Sequence, residues 1–199
     1  MLFSWFQKSG PDMEAVWKRL EAWMKVNAKP VLTNLNPGAK DEAIRALEEI
    51  LEIKLPADFK AFYKIHNGQE DDSQGLMDAE ELLSLENIAF QYSIWKELYD
   101  AGDFEGEKSE PASGVKDDWW NPKWIPITHD GGGNHICIDL DPAPGGKKGQ
   151  IIRMWHDDYS RAVLAHSFGE WMEAYVKGCE AGQYVYSEDW AAIIDKDNL

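Results

Sequence analysis

From Asp12 to about Asn27, Met13, Val16, Trp17, Leu20, Trp23 and Met24 recur at helical spacing, with Lys and Glu on the other side. The spacing predicts a helix with one face covered by protein, stopped by Pro30. NLNPGA then opens a second helix, with Ile44, Leu47, Ile50 and Leu51 on its apolar stripe. Leu55-Pro56 starts a third, because proline suits a first turn that has no use for its missing N–H. Phe59, Phe62, Tyr63 and His66 align along it, and Asn67-Gly68 ends it. A fourth helix is predicted over Leu85 to Ala101, capped by Ser84 and stopped by Gly102.

The period then changes. Between Trp119 and Phe168, Val, Ile, Trp and Cys recur at every second position in WWNPKWIPIT, NHICIDLDP, QIIRMWHDD and YSRAVLAHSF. HDGGG and APGGKKG, which separate the first three, carry the glycine, proline and aspartate that tight reversals need. These four short segments read as an antiparallel meander. A last helix follows, in which Ser167 and Glu170 have capping-box spacing and Phe168, Trp171, Met172, Tyr175 and Cys179 form the buried stripe up to Gly182. Helices come first, the sheet second and one helix last, so the class is α+β: a central antiparallel or mixed sheet with helices before it and one closing it. One domain is expected over residues 12–186, with an N-terminal arm at 1–11 and a C-terminal tail at 187–199. Glu70 to Gly75 and the longer polar stretch Asp103 to Asp118 are expected to be irregular, and Met1 to Phe6 to dock either on the domain or on another subunit.

A length of 199 residues, 44% of them hydrophobic and ten of them tryptophan, is enough to bury one sizeable core. The formal charge of −16 opposes phosphate backbones and anionic lipid surfaces, so neither nucleic acid nor a membrane is an expected partner. MLFSWFQKSGPDM is too short an apolar patch for a signal peptide, and no run of about 18 apolar residues follows, so the expected location is the cytoplasm. Cys137 in a strand and Cys179 on a helix stripe read as small core residues in a reducing compartment.

The search for chemistry returns mostly negatives. GGKKG at 145–149 lacks the Ser or Thr and the helix that a phosphate-binding loop requires, and Gly131, Gly132 and Gly133 lead into a strand with Ile136 in place of the third glycine of the dinucleotide fingerprint. Both read as hairpin turns. No G-x-S-x-G, H-E-x-x-H or C-x-x-C occurs. His129, Asp130, His135, His156, Asp157 and Asp158 sit at strand ends where hairpins could gather them, but their spacing matches no recurring ligand pattern. No metal, cofactor or enzymatic activity is expected. His66, beside Phe62 and Tyr63, reads as a hydrogen-bonded half-buried residue.

Acid interleaved with aromatics is the more informative surface feature. Asp117, Asp118, Trp119 and Trp120 stand together, and Asp157 and Asp158 precede Tyr159 at another strand end. Exposed rings beside carboxylates suit contact with a basic protein, the rings supplying buried area and the charges steering the encounter. The competing reading is a tryptophan that covers the sheet edge, with aspartates that only keep a solvated face.

The order of LPADFKAFYKIHNGQ, GLM with ELLSLENI, WWNPKWIPI, GGGNHICIDLDP, GQIIRMWHDD and AHSFGEWMEAY resembles the SUKH superfamily, and within it the branch of fungal cell-wall synthesis regulators of Smi/Knr type. The likeness runs from about Met13 to Tyr186. It implies an α+β domain with a central sheet and a largely non-enzymatic binding role. Trp124, Pro126, Asp139, Pro142, Gly149 and Ser167 match positions by which the family is recognised, and are fold markers here. Many bacterial members are immunity proteins, and an acidic domain suits the basic cleft of a nuclease-like toxin. The expected function is therefore toxin immunity, and the alternative is a regulatory interaction protein of cell-wall synthesis or morphogenesis.

Overall fold

The computed structural model describes residues 10–199. The first helix, α1, spans Met13–Asn27, and Asp12 caps it by accepting from the Glu14 N–H at 3.1 Å. Pro30 both ends it and, as a first-turn residue, helps open the short helix α2, Lys29–Thr33. The next two, α3 (Asp41–Ile50) and α4 (Ala57–Tyr63), carry the expected stripes, except that Ile50, at the end of α3, is exposed and α4 stops at Tyr63, short of His66 and of the expected end at Asn67-Gly68. Ser84 caps the long helix α5 (Leu85–Ala101) through the Asn87 N–H at 3.1 Å, and Gly102, with φ of 84°, closes it.

Strands β1 (Glu81–Leu82) and β2 (Glu110–Pro111) flank α5. The sequence from β3 onward is β3 (Trp124–Pro126), β4 (Thr128–His129), β5 (His135–Asp139), β6 (Gln150–Met154), β7 (Ser160–Arg161) and β8 (Val163–Ala165). In the four-stranded sheet the order is β3-β5-β6-β8, antiparallel throughout, which is the meander. Trp124 faces Asp139 across the first pair and Ile138 faces Ile151 across the second. The register slips between Ile151 and Ile152, leaving Leu164 bulged on the outer strand. Both glycine-rich segments are turns, and Gly131, Gly133, Gly145 and Gly149 all have positive φ. Beyond the sheet lie α6 (Phe168–Ala181), capped by Ser167, then β9 (Tyr184–Ser187) and β10 (Ala192–Asp195).

Aromatic rings join helices to helices. Trp17 stacks on Phe62 at 4.3 Å and donates its indole N–H to the Phe62 carbonyl, while Phe168 meets Phe59 and Phe62 edge-on at 5.3 and 5.1 Å. The sheet is buried on both faces: Ile125, Ile138 and Ile151 share one face by register, Cys137 and Ile152 the other, and all five are fully buried. Cys137 and Cys179 are free thiols within that core, and burial pushes the pKa of both upward.

Asp103 to Asp118 is largely irregular, as expected, but it is tied down: Ser109 and Ala112 donate to Asp117 and Arg161, and β2 pairs in parallel with β7. A Cβ on Gly146 would sit 2.1 Å from the Gly114 carbonyl oxygen, so this backbone lies hard against the β5–β6 turn. The stretch 187–199 is likewise more than a tail. β10 pairs with β9, its Ala192, Ile193 and Ile194 are buried, and the Ile193 main chain bonds to Gly75 and Ala79. The apolar Ile-Ile pair has to be covered, and the loop 75–79 covers it. Of the N-terminal arm, residues 1–9, including Met1 to Phe6, lie outside the described residues.

Candidate functional site

The structure brings the two halves of the acidic aromatic patch together, and Arg161 does it. Arg161 is fully buried and has no carboxylate partner among the described residues; one Nη donates to the carbonyls of Asp158 and Ser160 at 2.6 and 2.7 Å, and the other to Trp119 at 2.8 Å. Its guanidinium also lies 5.2 Å from the Trp119 ring, which meets the exposed Tyr159 edge-on at 5.4 Å. Trp119 is thus a half-buried ring held between a buried cation and an exposed phenol.

The acids differ in what they touch. Asp117 is exposed and paired with Lys108, whose ammonium holds its carboxyl below the usual range. Asp118 accepts from Asn121 at 2.6 Å. Asp158 receives the Ser160 N–H at 2.6 Å, which shapes the turn, and Asp157 is exposed with His156 3.6 Å away.

Trp120 requires a correction, because only 2% of it is exposed. It stacks on Trp95 at 6.3 Å and packs against Tyr92 and Tyr99, so it belongs to the core under α5 and offers a partner little ring. The two tryptophans point to opposite sides of their segment, and nothing in the doublet itself says which faces in. What Trp120 does form is the floor of a cleft of about 350 Å³, walled by Tyr99, Phe104, Trp119, Glu105, Glu107 and Asp118. Sequence reasoning missed Tyr99, Phe104, Glu105 and Glu107. The available signal was an aromatic and acidic run just past the Gly102 stop, in a stretch read as irregular.

Of the strand-end histidines, His129 and His135 meet and His156 stands apart. His135 is fully buried; its Nδ1 donates to the Thr128 carbonyl at 2.6 Å and its Nε2 accepts from the Trp95 indole at 3.1 Å. Burial pushes its pKa down to about 4, so the ring is neutral. His129 stacks on it at 5.4 Å, while the exposed His156 turns to Asn134. Among the described residues no group of three or more His, Cys, Asp or Glu could hold a metal ion. His66 is half-buried as expected, bonded to Glu21 and to the Asn36 carbonyl.

Residues 38–174, from just before α3 into α6, match the model of the SMI1 / KNR4 family (SUKH-1). The chain belongs to that family. Its SUKH-1 domain is similar to the cell wall assembly regulator SMI1 of Saccharomyces cerevisiae, at 26% identity over 87% of this chain and 41% of the yeast protein. It is also similar to the cell wall biosynthesis/cell cycle regulator smi1 of Schizosaccharomyces pombe, at 29% identity over 90% of this chain and 38% of that protein. A third relative, the glucan synthesis regulatory protein of Neurospora crassa, is 25% identical over 92% of this chain and 42% of its own length. The chain spans about two fifths of the length of these relatives. All three carry the names of regulators and none the name of an enzyme. The fold markers of the SUKH-1 resemblance lie where the sheet is fixed. Trp124 and Asp139 are fully buried and face one another, the Gly149 N–H donates to the Asp139 carbonyl at 2.7 Å, and Ser167 caps α6. Among the described residues no helix is long and apolar enough to cross a membrane.

Proposed function

We propose that this chain is a non-enzymatic, protein-binding regulatory module of cell-wall synthesis or morphogenesis, and that its acidic aromatic face receives a basic protein. The observation that carries this reading is the likeness, over nearly nine tenths of the chain or more, to proteins named as regulators of cell wall assembly and glucan synthesis. Those names support the regulatory alternative better than the toxin-immunity reading that the sequence put first. The contact surface is Trp119 and Tyr159 with Asp118, Asp157 and Asp158 around them, and the cleft above Trp120 takes a cationic side chain among Glu105, Glu107 and Asp118. Asp117 contributes less net charge there, because Lys108 pairs with it.

The test is affinity capture from the native organism, with the wild-type chain beside a Trp119→Ala, Asp118→Asn, Asp158→Asn variant. A protein of cell-wall synthesis, retained by the wild type and lost by the variant, is the expected outcome. A toxin encoded next to this chain would restore the immunity reading, and equal retention by both forms would move the contact surface elsewhere.

A further inference from the structure

A second cleft, of about 370 Å³, opens between β5, β6, β8, α6, the start of β9 and the loop at Met77 and Asp78. Ile136, Leu164, Trp171 and Tyr184 give it apolar walls, and Arg153 is its cation. An arginine in such a place is unusual, because its side chain is only 16% exposed. Three contacts hold it in one pose. Glu80 accepts from Nη1, the Trp155 ring lies 4.7 Å from the guanidinium carbon, and Glu80 is itself fixed by the buried Thr128 hydroxyl. Among the described residues Nε and Nη2 have no acceptor, so a planar pair of donors lines an aromatic cleft without a partner of its own.

We propose that this cleft binds an apolar residue of an extended peptide from a partner protein, with Arg153 donating to that residue's main-chain carbonyl. Three observations select this occupant. The guanidinium charge is already balanced by Glu80, and Asp78 also lines the cleft, so a ligand carboxylate would be repelled by two acids while a neutral carbonyl, carrying no net charge, would not. The walls are apolar and aromatic, and the volume has room for a side chain of leucine size together with its flanking peptide groups. Leu164, exposed and bulged, belongs to the outermost strand of the sheet, where an extended chain can lie alongside. The inference shares with the proposed function only the premise that a protein is bound; the surface is a different one.

The probe is N-acetyl-leucinamide, titrated into the full isotope-labelled chain and followed by amide NMR shifts, with N-acetyl-leucine as the carboxylate control. A ligand of that size binds in the low-millimolar range. Shifts should concentrate at Ile136, Arg153, Leu164 and Ala174, and the amide should bind about tenfold more tightly than the acid. Ala174→Trp, at an exposed helix position, should fill the cleft and abolish the shifts. Arg153→Lys, which keeps the pair with Glu80 but loses the fork, should weaken binding about tenfold. Shifts absent at saturating millimolar probe, scattered over the surface, unchanged in Ala174→Trp, or stronger with the acid would each overturn the proposal. None of these outcomes bears on the acidic aromatic face, which the probe does not test.

Discussion

The Trp95 indole donates to Nε2 of His135 at 3.1 Å, inside the protein, and this bond is possible only while the imidazole is neutral. With Nδ1 already donating to Thr128, a second ring proton would face the indole N–H head-on.

Stability should therefore fall in acid. The folded pKa of about 4 lies below the ordinary 6.5, so the unfolded chain takes up the proton first. Nothing is lost above pH 6.5, the loss begins as pH falls through that value, and it reaches about 3 kcal/mol near pH 4. Urea unfolding between pH 7.5 and 4.5 measures it. His135→Gln, which can still accept from Trp95 and donate to Thr128, should lose this component of the slope.

The two neighbouring tryptophans should fail differently. Trp120→Ala empties a core site and should cost about 3 to 5 kcal/mol of stability, seen as a lower melting temperature. Trp119→Ala should leave the melt near wild type and raise the dissociation rate of a bound partner about tenfold or more. Asn at Asp118, Asp157 and Asp158 should instead slow association and flatten its salt dependence in surface plasmon resonance. A salt-independent association rate would remove charge from the account.

Trp171 is 9% exposed, edge-on to Phe168 at 5.9 Å, and borders the second cleft. With one side already open, Trp171→Ala should cost about 3 kcal/mol, the low end for a buried indole. For a chain of this size that is a fall in melting temperature of about 6–12 °C by calorimetry.

Glu80 and Arg153 form a largely buried pair, so either one alone leaves an uncompensated charge. Arg153→Met and Glu80→Leu should each destabilise by about 3 kcal/mol or more, and the double variant by clearly less than their sum. Additive losses in denaturant melts would show that the two act independently.

Helices were the most legible part of the chain, because Asp12, Ser84, Ser167, Gly102 and Gly182 all stand at the caps their chemistry favours. The meander was legible through its period and its glycine turns. What escaped was set by distant partners. Glu81–Leu82 and Glu110–Pro111 are strands only because His129 and Ser160 lie opposite them. The β9–β10 hairpin carries Ala191 at a φ of 48° where glycine or asparagine would have announced a turn. In the site, the acidic and aromatic content of the patch was readable, but its organiser was not: Arg161 acts through carbonyls, and carbonyl acceptors leave no mark on a sequence. Arg153 did leave one, as a lone cation between Ile152 and Met154 in an apolar strand.

The bonds between β10 and the loop 75–79 also set an order of events. Asp195 donates its N–H to Asp78 across 117 residues of chain, and Ile193 reaches Gly75 and Ala79 across similar separations. During synthesis from the N-terminus, the loop that carries the chain into Glu80 must wait for a strand made long after it. Until that strand emerges, the Gly75 carbonyl, the Ala79 N–H and the Asp78 carboxylate have only water for partners, so the loop closes last.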